Sequence, residues 1–454
     1  MLVQLPILAV LCLMSSRPTP AQPSSWLDAY RETSSRLISE SLATQFAWDR
    51  LAYMGDSFGH RLSGSRGLKE AIDWAVAEMK KDGLENVRAE AVKVPHWVRG
   101  RESLTLVAPR PLDVPMLGLG NSVGTPADGI EADVLVVRSF TELESAGPRA
   151  KNKIVLFNVP FTSYEDTVTY RTSGASRAAA LGAIGALIRA VGPPGLRTPH
   201  TGMLRYSESD PKIPAASISI EDSELLQRMQ ERGTKIRVRM KMEARFLPDA
   251  DSANVVAEIR GRERPDEVIV VGAHLDSWDV GTGSTDDGAG CIVTWEALRL
   301  IKQLKLQPRR TVRVVLFTNE ENGLAGGKAY LERHHSKLAN HVLMLESDSG
   351  VLKPTGFGFT GTATARATIQ QIASLLSSIG TDGVGSSGGG ADIGPSVEAG
   401  AIPAMSLEGA GNYFLIHHTD ADTVDKIDPK DMARASAAIA VVAYIVAEMP
   451  ERLR

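Results

Sequence analysis

The chain has 454 residues, of which 43% are hydrophobic and 23% are charged, and its formal net charge at pH 7 is −4. This length allows two to three domains, and the composition is ordinary for a soluble globular protein. The slightly negative charge gives no electrostatic footprint for nucleic acid. No apolar run reaches the ~18–20 residues that span a bilayer. We therefore expect neither a nucleic-acid partner nor a membrane span.

Residues 1–21 have the pattern of a secretory signal peptide. An apolar run, MLVQLPILAVLCLM, is followed by SSRPTPAQPSS, with small residues that suit cleavage after Ala21. No Lys or Arg precedes the apolar run, so a disordered start is the alternative. Removal of residues 1–21 would leave Cys291 as the remaining cysteine, which excludes an intrachain disulfide. The expected location is secreted or periplasmic.

The pattern along the chain predicts an α/β fold. Residues 22–44 contain one amphipathic helix, and a second helix follows within residues 45–109. Between 110 and 245, short apolar strands separated by Gly and Pro indicate a small β-rich domain with its own core. Strands and helices alternate in residues 246–454. This alternation predicts a mostly parallel twisted sheet with helices on both faces.

Acidic and histidine side chains follow three predicted strands of the last region. In open α/β sheets, sites form where the carboxyl ends of the strands meet. A solvated acidic loop would explain any one of these strand ends, but not all of them together with a histidine pair. The residues concerned are His274 and Asp276 after the first strand, Asp286 on the glycine-rich loop, Glu320 and Glu321 after the second, Asp348 after the third, and His417 and His418 near the C-terminus.

This set of imidazoles and carboxylates predicts a zinc site, with cobalt or manganese as alternatives. Five ligands exceed what one catalytic zinc uses, and they suit two metals that share a carboxylate, ~3.5–4 Å apart. Of the neighbouring pair, Glu320 and Glu321, one can ligate while the other acts as general base on the water between the metals. Asp276 could orient the His274 imidazole or could cap a turn.

Around these motifs the chain resembles the carboxypeptidase Q family (plasma glutamate carboxypeptidase) of the zinc aminopeptidase clan, from about residue 26 to 450. The resemblance extends to the non-catalytic phrases RLSGS, VPHWVRG, YRTSGA, PHTGM and PKIPAASISIEDSE. It implies two zinc ions and a role for each site residue. His274 and Asp348 would hold one zinc, Glu321 and His418 the other, Asp286 would bridge them, and Glu320 would be the general base.

The resemblance also implies a zinc exopeptidase fold with an inserted protease-associated domain at 110–245, a propeptide-like segment at 22–44, and a homodimer. In related enzymes a tyrosine that donates to the oxyanion often precedes the second-metal histidine; here His417 stands in that place. Our hypothesis is that His417 donates instead, and a packing role is the alternative. PHTG, residues 199–202, either reaches towards the substrate or is a plain loop.

The predicted function is hydrolysis of small unblocked dipeptides by a water that bridges the two metals and is activated by Glu320. A zinc aminopeptidase of broader specificity, acting on longer peptides, is the nearest alternative. An inactive binding or receptor homologue would have lost ligands, and here every ligand position is filled. A single-zinc acyltransferase is disfavoured by the full bridging set. The sequence does not show which residue would bind the substrate carboxylate.

Overall fold

The computed structural model describes residues 26–453, and the predicted signal peptide at 1–21 lies outside them. These residues form two eight-stranded sheets with helices packed on them. The helices are α1 Asp28–Leu42, α2 Phe46–Phe58, α3 Arg66–Lys81, α4 Phe140–Ala146, α5 Tyr164–Ala180, α6 Ile220–Glu231, α7 Ala289–Gln303, α8 Ala325–His334, α9 Ala363–Ala373, α10 Gly394–Gly400, α11 Tyr413–Ile416 and α12 Pro429–Glu448. No helix between residues 26 and 453 is long and apolar enough to cross a bilayer.

The first sheet is mixed, with a parallel centre. In spatial order its strands are β1 Glu85–Val98, β10 Arg245–Ile259, β12 Arg310–Phe317, β11 Arg264–His274, β13 His341–Glu346, β16 Ala404–Gly409, β14 Pro354–Thr360 and β15 Gly383–Val384. The central strands β12, β11, β13 and β16 are parallel, whereas β1, β10 and β14 pair antiparallel. The parallel pairing expected for most of the sheet thus holds for its four central strands and for the short β14–β15 pair at one edge, and the remaining pairs are antiparallel.

Helices cover both faces of the first sheet. Successive residues of β11 alternate between two cores: Ile269 and Val271 pack with α7 and α12, whereas Val268 and Val270 pack on the side of α8. This alternation follows from the two-residue period of a strand. Helix α1 belongs to the first core, because Leu37 is fully buried there. Helix α1, which covers most of the segment expected to be propeptide-like, therefore packs as an integral part of this unit.

The second sheet lies largely, but not wholly, within the segment expected to form the inserted domain. In spatial order its strands are β3 Leu112–Val114, β2 Glu102–Ala108, β9 Arg237–Met242, β5 Ile130–Val137, β6 Ile154–Phe157, β7 Gly185–Arg189, β8 Ala215–Ile218 and β4 Met116–Gly118. Strand β2 pairs with β3 and β9. The sheet therefore begins at Glu102, ahead of the expected boundary at residue 110.

Trp278, on the loop after β11, joins the two units. Its indole lies in the core of the second unit, edge-on to Trp97, with ring centroids 6.4 Å apart. A Cβ on Gly120 would lie 1.9 Å from this indole, so only glycine fits there. Arg99 pairs with Asp279, its Nε lying 2.9 Å from Oδ2. The loop that follows the His274 strand is therefore clamped by the second unit.

Candidate metal centre and active site

The sequence-predicted residues meet in one cavity of about 390 Å³ at the carboxyl edge of the parallel strands. His274 is the last residue of β11, Glu320 and Glu321 follow β12, and Asp348 follows β13. The cavity is also lined by Asp286, His417 and His418, so seven of the eight predicted residues border it directly.

Asp286 lies between two histidines and presents one oxygen to each. Its Oδ1 is 3.2 Å from Nε2 of His274, and the same Nε2 is 3.9 Å from Oδ1 of Asp348. Its Oδ2 is 3.1 Å from Nε2 of His418, which is also 3.1 Å from Oε2 of Glu321. The donor atoms thus fall into two groups that share a single carboxylate.

This donor set fits zinc. Ligand-type atoms within 4.8 Å of one another form three clusters: Asp286 with His417 and His418, His274 with Asp287 and Asp348, and His274 with Asp286 and Glu321. The buried Oδ2 of Asp286 has no hydrogen-bond partner among the described residues. A buried carboxylate oxygen without a donor is costly unless a cation meets it. Imidazole and carboxylate donors together favour zinc over calcium or magnesium.

The carboxyl groups of this cluster have strongly shifted pKa values. Burial and the neighbouring Glu321 raise the pKa of Glu320 well above its ordinary value, against the effect of His274. Burial and the nearby Asp286 likewise raise the pKa of Glu321. Burial also opposes ionisation of Asp286, but the adjacent imidazoles of His274 and His418 outweigh it and hold its pKa well below the ordinary value.

The backbone of Asp276, rather than its side chain, orients His274. The ring Nδ1 lies 2.9 Å from the carbonyl oxygen of Asp276, whereas the carboxylate is 4.0 Å away. That carboxylate accepts hydrogen bonds from the backbone N–H groups of Glu320 at 3.0 Å and Glu321 at 3.3 Å. These two hydrogen bonds make the Asp276 carboxylate a cap of the turn after β12, one of the two roles expected for it.

A backbone carbonyl from the second unit holds His418. Nδ1 of His418 is 3.3 Å from the carbonyl oxygen of Thr201, and the N–H of Thr201 donates to the His418 carbonyl at 2.9 Å. Thr201 belongs to PHTG, so this phrase contacts a metal-site histidine instead of being a plain loop. Because Nδ1 is directed at Thr201, Nε2 is left to face Asp286 and Glu321.

His417 lies beside the metal cluster with one nitrogen free. Its ring stacks on His418 with centroids 3.5 Å apart and meets the Tyr164 ring edge-on at 5.3 Å. Nε2 is 3.6 Å from Oδ2 of Asp286, and the buried Nδ1 has no hydrogen-bond partner in the described chain. Burial, reinforced by the adjacent His418, holds the pKa of His417 well below its ordinary value. The ring is therefore neutral.

Asp287 supports the backbone at this edge. Although it clusters with His274 and Asp348, its Oδ2 accepts from the N–H of His274 at 3.1 Å and its Oδ1 from the N–H of Gly290 at 3.0 Å. Both oxygens are thus occupied by backbone donors, and Asp287 ties the end of β11 to the start of α7.

Two further buried residues position the site and were not singled out from the sequence. Asp422 accepts hydrogen bonds from Thr285 N at 2.7 Å, Thr285 Oγ1 at 2.7 Å and Asp286 N at 3.1 Å. Burial raises the pKa of Asp422 to about 6. Arg61 is fully buried and donates only to backbone carbonyls. Asp422 is the second aspartate of HHTDADT, and Arg61 is the arginine of RLSGS. Their charge inside these motifs was the sequence signal that could have identified them.

The second unit forms the wall opposite the metal cluster. Helix α5 and the segment after PHTG contribute Tyr164, Arg171, Thr172, Met203 and Arg205 to the cavity lining. On the side of the metal cluster, the hydroxyl of Tyr413 donates to Oδ1 of Asp348 at 3.4 Å. The cavity is therefore acidic on one side and basic on the other.

Known proteins match both the chain and its fold. Peptidase family M28 matches residues 254–443. Carboxypeptidase Q of Bos taurus is 47% identical over 407 residues, which cover 90% of this chain and 86% of the relative. The crystal structure of a peptidase M28 precursor from Shewanella amazonensis SB2B superposes with a TM-score of 0.90 at 33% identity, covering 94% of this chain and 98% of that one. The zinc aminopeptidase BSAP of Bacillus subtilis shares the fold, with a TM-score of 0.69 at 19% identity over 90% and 96% of the two chains.

Proposed function

This chain belongs to peptidase family M28 as a carboxypeptidase Q homologue and is a zinc metallopeptidase, and on that premise we propose that it hydrolyses small unblocked dipeptides. The observation that carries the proposal is the cavity itself. Its volume of about 390 Å³ lies near the lower end of the ~300–1,000 Å³ usual for ligand sites. The second unit closes the side opposite the metal cluster, which favours a short substrate.

The proposed metal ligands follow the two donor groups. His274 and Asp348 would hold one zinc, and Glu321 and His418 the other, while Asp286 would contribute one oxygen to each. The separation of the two Asp286 oxygens towards different histidines supports this assignment. When bound, two zinc ions supply Lewis-acid polarisation of the scissile carbonyl and lower the pKa of the attacking water.

Glu320 is the proposed general base. Its backbone N–H is fixed by Asp276, and its side chain lines the cavity beside the ligands. The carboxylate takes a proton from the attacking water and returns it to the leaving amine, so that a neutral amino group departs. Neighbouring carboxylates raise its affinity for a proton, which suits a group that must hold one transiently.

His417 is the proposed donor to the carbonyl oxygen as that oxygen becomes negative in the transition state. Its neutral ring and unpaired Nδ1 leave one nitrogen able to donate while Nε2 faces Asp286. Replacement of His417 by Ala should lower kcat by about 100-fold with little change in zinc content. An unchanged kcat would refute the donor role and leave ring packing as its function.

The deciding experiment compares an unblocked dipeptide with its C-terminal amide, using zinc-reconstituted protein. A dipeptidase should cleave the free dipeptide at least about 100-fold faster in kcat/KM, since its site reads the free carboxylate. Similar rates for both substrates would instead support the broader aminopeptidase. Cleavage of neither substrate, with zinc bound at two ions per chain, would overturn both proposals.

We also make proposals for the cellular location, the type of the second domain and the oligomeric state. Residues 1–21 would direct export, to a secreted or periplasmic location. The second unit would be a protease-associated domain, supported by its separate sheet and core. We also propose a homodimer, which sedimentation of the purified protein would test.

A further inference from the structure

The cavity wall formed by the second unit contains a buried arginine with no acidic partner. Arg171, on helix α5, is only 5% exposed, and its side chain forms no ion pair within residues 26–453. Burial of a guanidinium without a counter-charge is costly. A buried guanidinium without an acidic partner beside a substrate cavity indicates that an anionic group of a bound ligand pairs with it.

The contacts of Arg171 fix its position without using up its donors. Nη2 donates to the hydroxyl of Tyr164 at 2.6 Å, and Nη1 donates to the Thr201 carbonyl at 3.4 Å. The guanidinium packs flat on Gly202, where a Cβ would lie 2.4 Å from Cζ. A guanidinium has more N–H donors than these contacts occupy. Tyr164 accepts from Arg171, so its own hydroxyl hydrogen remains free to donate.

The carboxylates of the cavity do not balance its arginines once metals are bound. Asp286, Glu320, Glu321 and Asp348 line the cavity, and two dications would offset all four carboxylates. The metal-loaded cavity would then carry the positive charges of Arg171 and Arg205 without a matching anion among its lining residues. A substrate with a negative end is therefore favoured over a neutral one.

The position of Arg171 suits one end of a short peptide. Its Nη1 is 3.4 Å from Nδ1 of His418, whose Nε2 faces the metal cluster. In a dipeptide, the terminal carboxylate lies one residue, ~3.5 Å of chain, beyond the scissile carbonyl. A peptide whose scissile bond lies at the metal cluster can thus place its carboxylate beside Arg171.

We propose that Arg171, together with the hydroxyl of Tyr164, binds the free α-carboxylate of the substrate and thereby selects dipeptides. The proposal rests on the dipeptidase function proposed above. The planar fork of arginine pairs with a carboxylate through two parallel hydrogen bonds, which a neutral amide does not reproduce. Specificity would then come from the second unit, and chemistry from the first.

The test measures kcat/KM for a dipeptide and for its C-terminal amide in wild type and four variants. Arg171→Gln and Tyr164→Phe remove the two proposed contacts. Arg177→Gln is the charge-matched control, because Arg177 lies on the same helix but is exposed and pairs with Glu144. Arg205→Gln tests the other arginine of the wall, which is exposed. Amide hydrolysis reports folding and metal loading in every variant.

We expect Arg171→Gln to lower the dipeptide kcat/KM by about 100-fold, equivalent to about 2.7 kcal/mol, while amide hydrolysis stays within about threefold of wild type. Tyr164→Phe should lower the dipeptide value by about tenfold. The control Arg177→Gln should retain the wild-type preference, and Arg205→Gln should reduce it less than Arg171→Gln does. Calorimetry with a non-hydrolysable reduced-bond dipeptide should show the same loss of affinity for Arg171→Gln, and none for the corresponding amide analogue.

Three results would overturn the proposal while leaving the dipeptidase function intact. The first is a wild-type preference for the free dipeptide that Arg171→Gln and Tyr164→Phe both retain. The second is loss of that preference in Arg205→Gln alone. An equal fall in dipeptide and amide hydrolysis in Arg171→Gln, matched by Tyr164→Phe, would also overturn it by showing a structural role. Equal rates in the wild type would instead refute the dipeptidase function itself.

Discussion

Arg61 is a buried residue whose replacement should lower the free energy of unfolding without removing any group that takes part in the proposed reaction. Its guanidinium donates from Nε to Leu275 O at 2.7 Å, from Nη1 to Thr282 O at 2.7 Å and from Nη2 to Gly283 O at 2.8 Å. These carbonyls lie at the two ends of the loop after β11. The substitution Arg61→Met keeps much of the buried volume and removes all three donors.

The expected cost follows from two carbonyl groups, Leu275 O and Thr282 O, that lose their donor, because Gly283 O keeps the backbone N–H of Gly288 at 3.0 Å. Each buried acceptor that loses its donor costs about 1–3 kcal/mol, so about 6 kcal/mol is the upper limit. Removal of the guanidinium also relieves its own desolvation cost, which offsets part of this sum. We expect the free energy of unfolding to fall by about 2–4 kcal/mol.

Urea unfolding of the metal-free protein, followed by circular dichroism at one temperature, measures this change. Arg66→Met is the control, because Arg66 is 88% exposed and pairs only with Glu70 on the surface of α3. Its effect should stay below about 0.5 kcal/mol. A loss of less than about 1 kcal/mol in Arg61→Met would refute the reasoning, since two buried carbonyls without a donor should cost at least about 2 kcal/mol before any offset.

Three further predictions concern the site and its surroundings. Glu320→Gln should lower kcat by about 10²–10⁴-fold, with zinc content by atomic absorption unchanged; loss of zinc would show that Glu320 is a ligand. Asp422→Asn should weaken zinc affinity by about 10–100-fold in a chelator competition, because the Asp286 loop loses its fixed acceptor; unchanged affinity would contradict that role. Burial opposes ionisation of Glu90, but His334 and Arg88 outweigh it and lower its pKa to about 2. Since the folded-state pKa is depressed, the ionised Glu90 stabilises the fold above pH 4.5, and the free energy of unfolding of wild type should there exceed that of Glu90→Gln by about 3 kcal/mol. This difference should vanish as the pH falls towards 2. A difference independent of pH would contradict this role of the ionised carboxylate.

The positions of the site residues could be predicted because they follow strands. His274, Glu320 and Asp348 come directly after apolar runs, and a parallel arrangement brings the ends of those runs together. Arg61 and Asp422 could not be predicted in the same way. Their partners lie far away in sequence, since Arg61 and Leu275 are 214 positions apart. No local pattern encodes such a contact.

The fold could be predicted in class but not in every boundary. The alternation of strands and helices indicated the parallel centre, since β-α-β connections produce that geometry. Strand β2 at Glu102–Ala108 was expected in the first unit but pairs in the second sheet. Its sequence, ESLTLVA, suits any half-buried strand, and only the partner β9 decides which sheet it joins. Pairing between distant strands is a property of the whole chain.

The hydrogen bond between His418 and Thr201 makes metal affinity and domain docking thermodynamically linked. One nitrogen of the ring faces the metal cluster, while the other meets a carbonyl from the second unit. The part of the zinc-binding free energy that depends on this carbonyl equals the free energy by which bound zinc stabilises the interface between the two units. Chelation should therefore loosen the second unit, and hydrogen exchange of the amide of Thr201 would report the occupancy of a metal site on the opposite side of the ring.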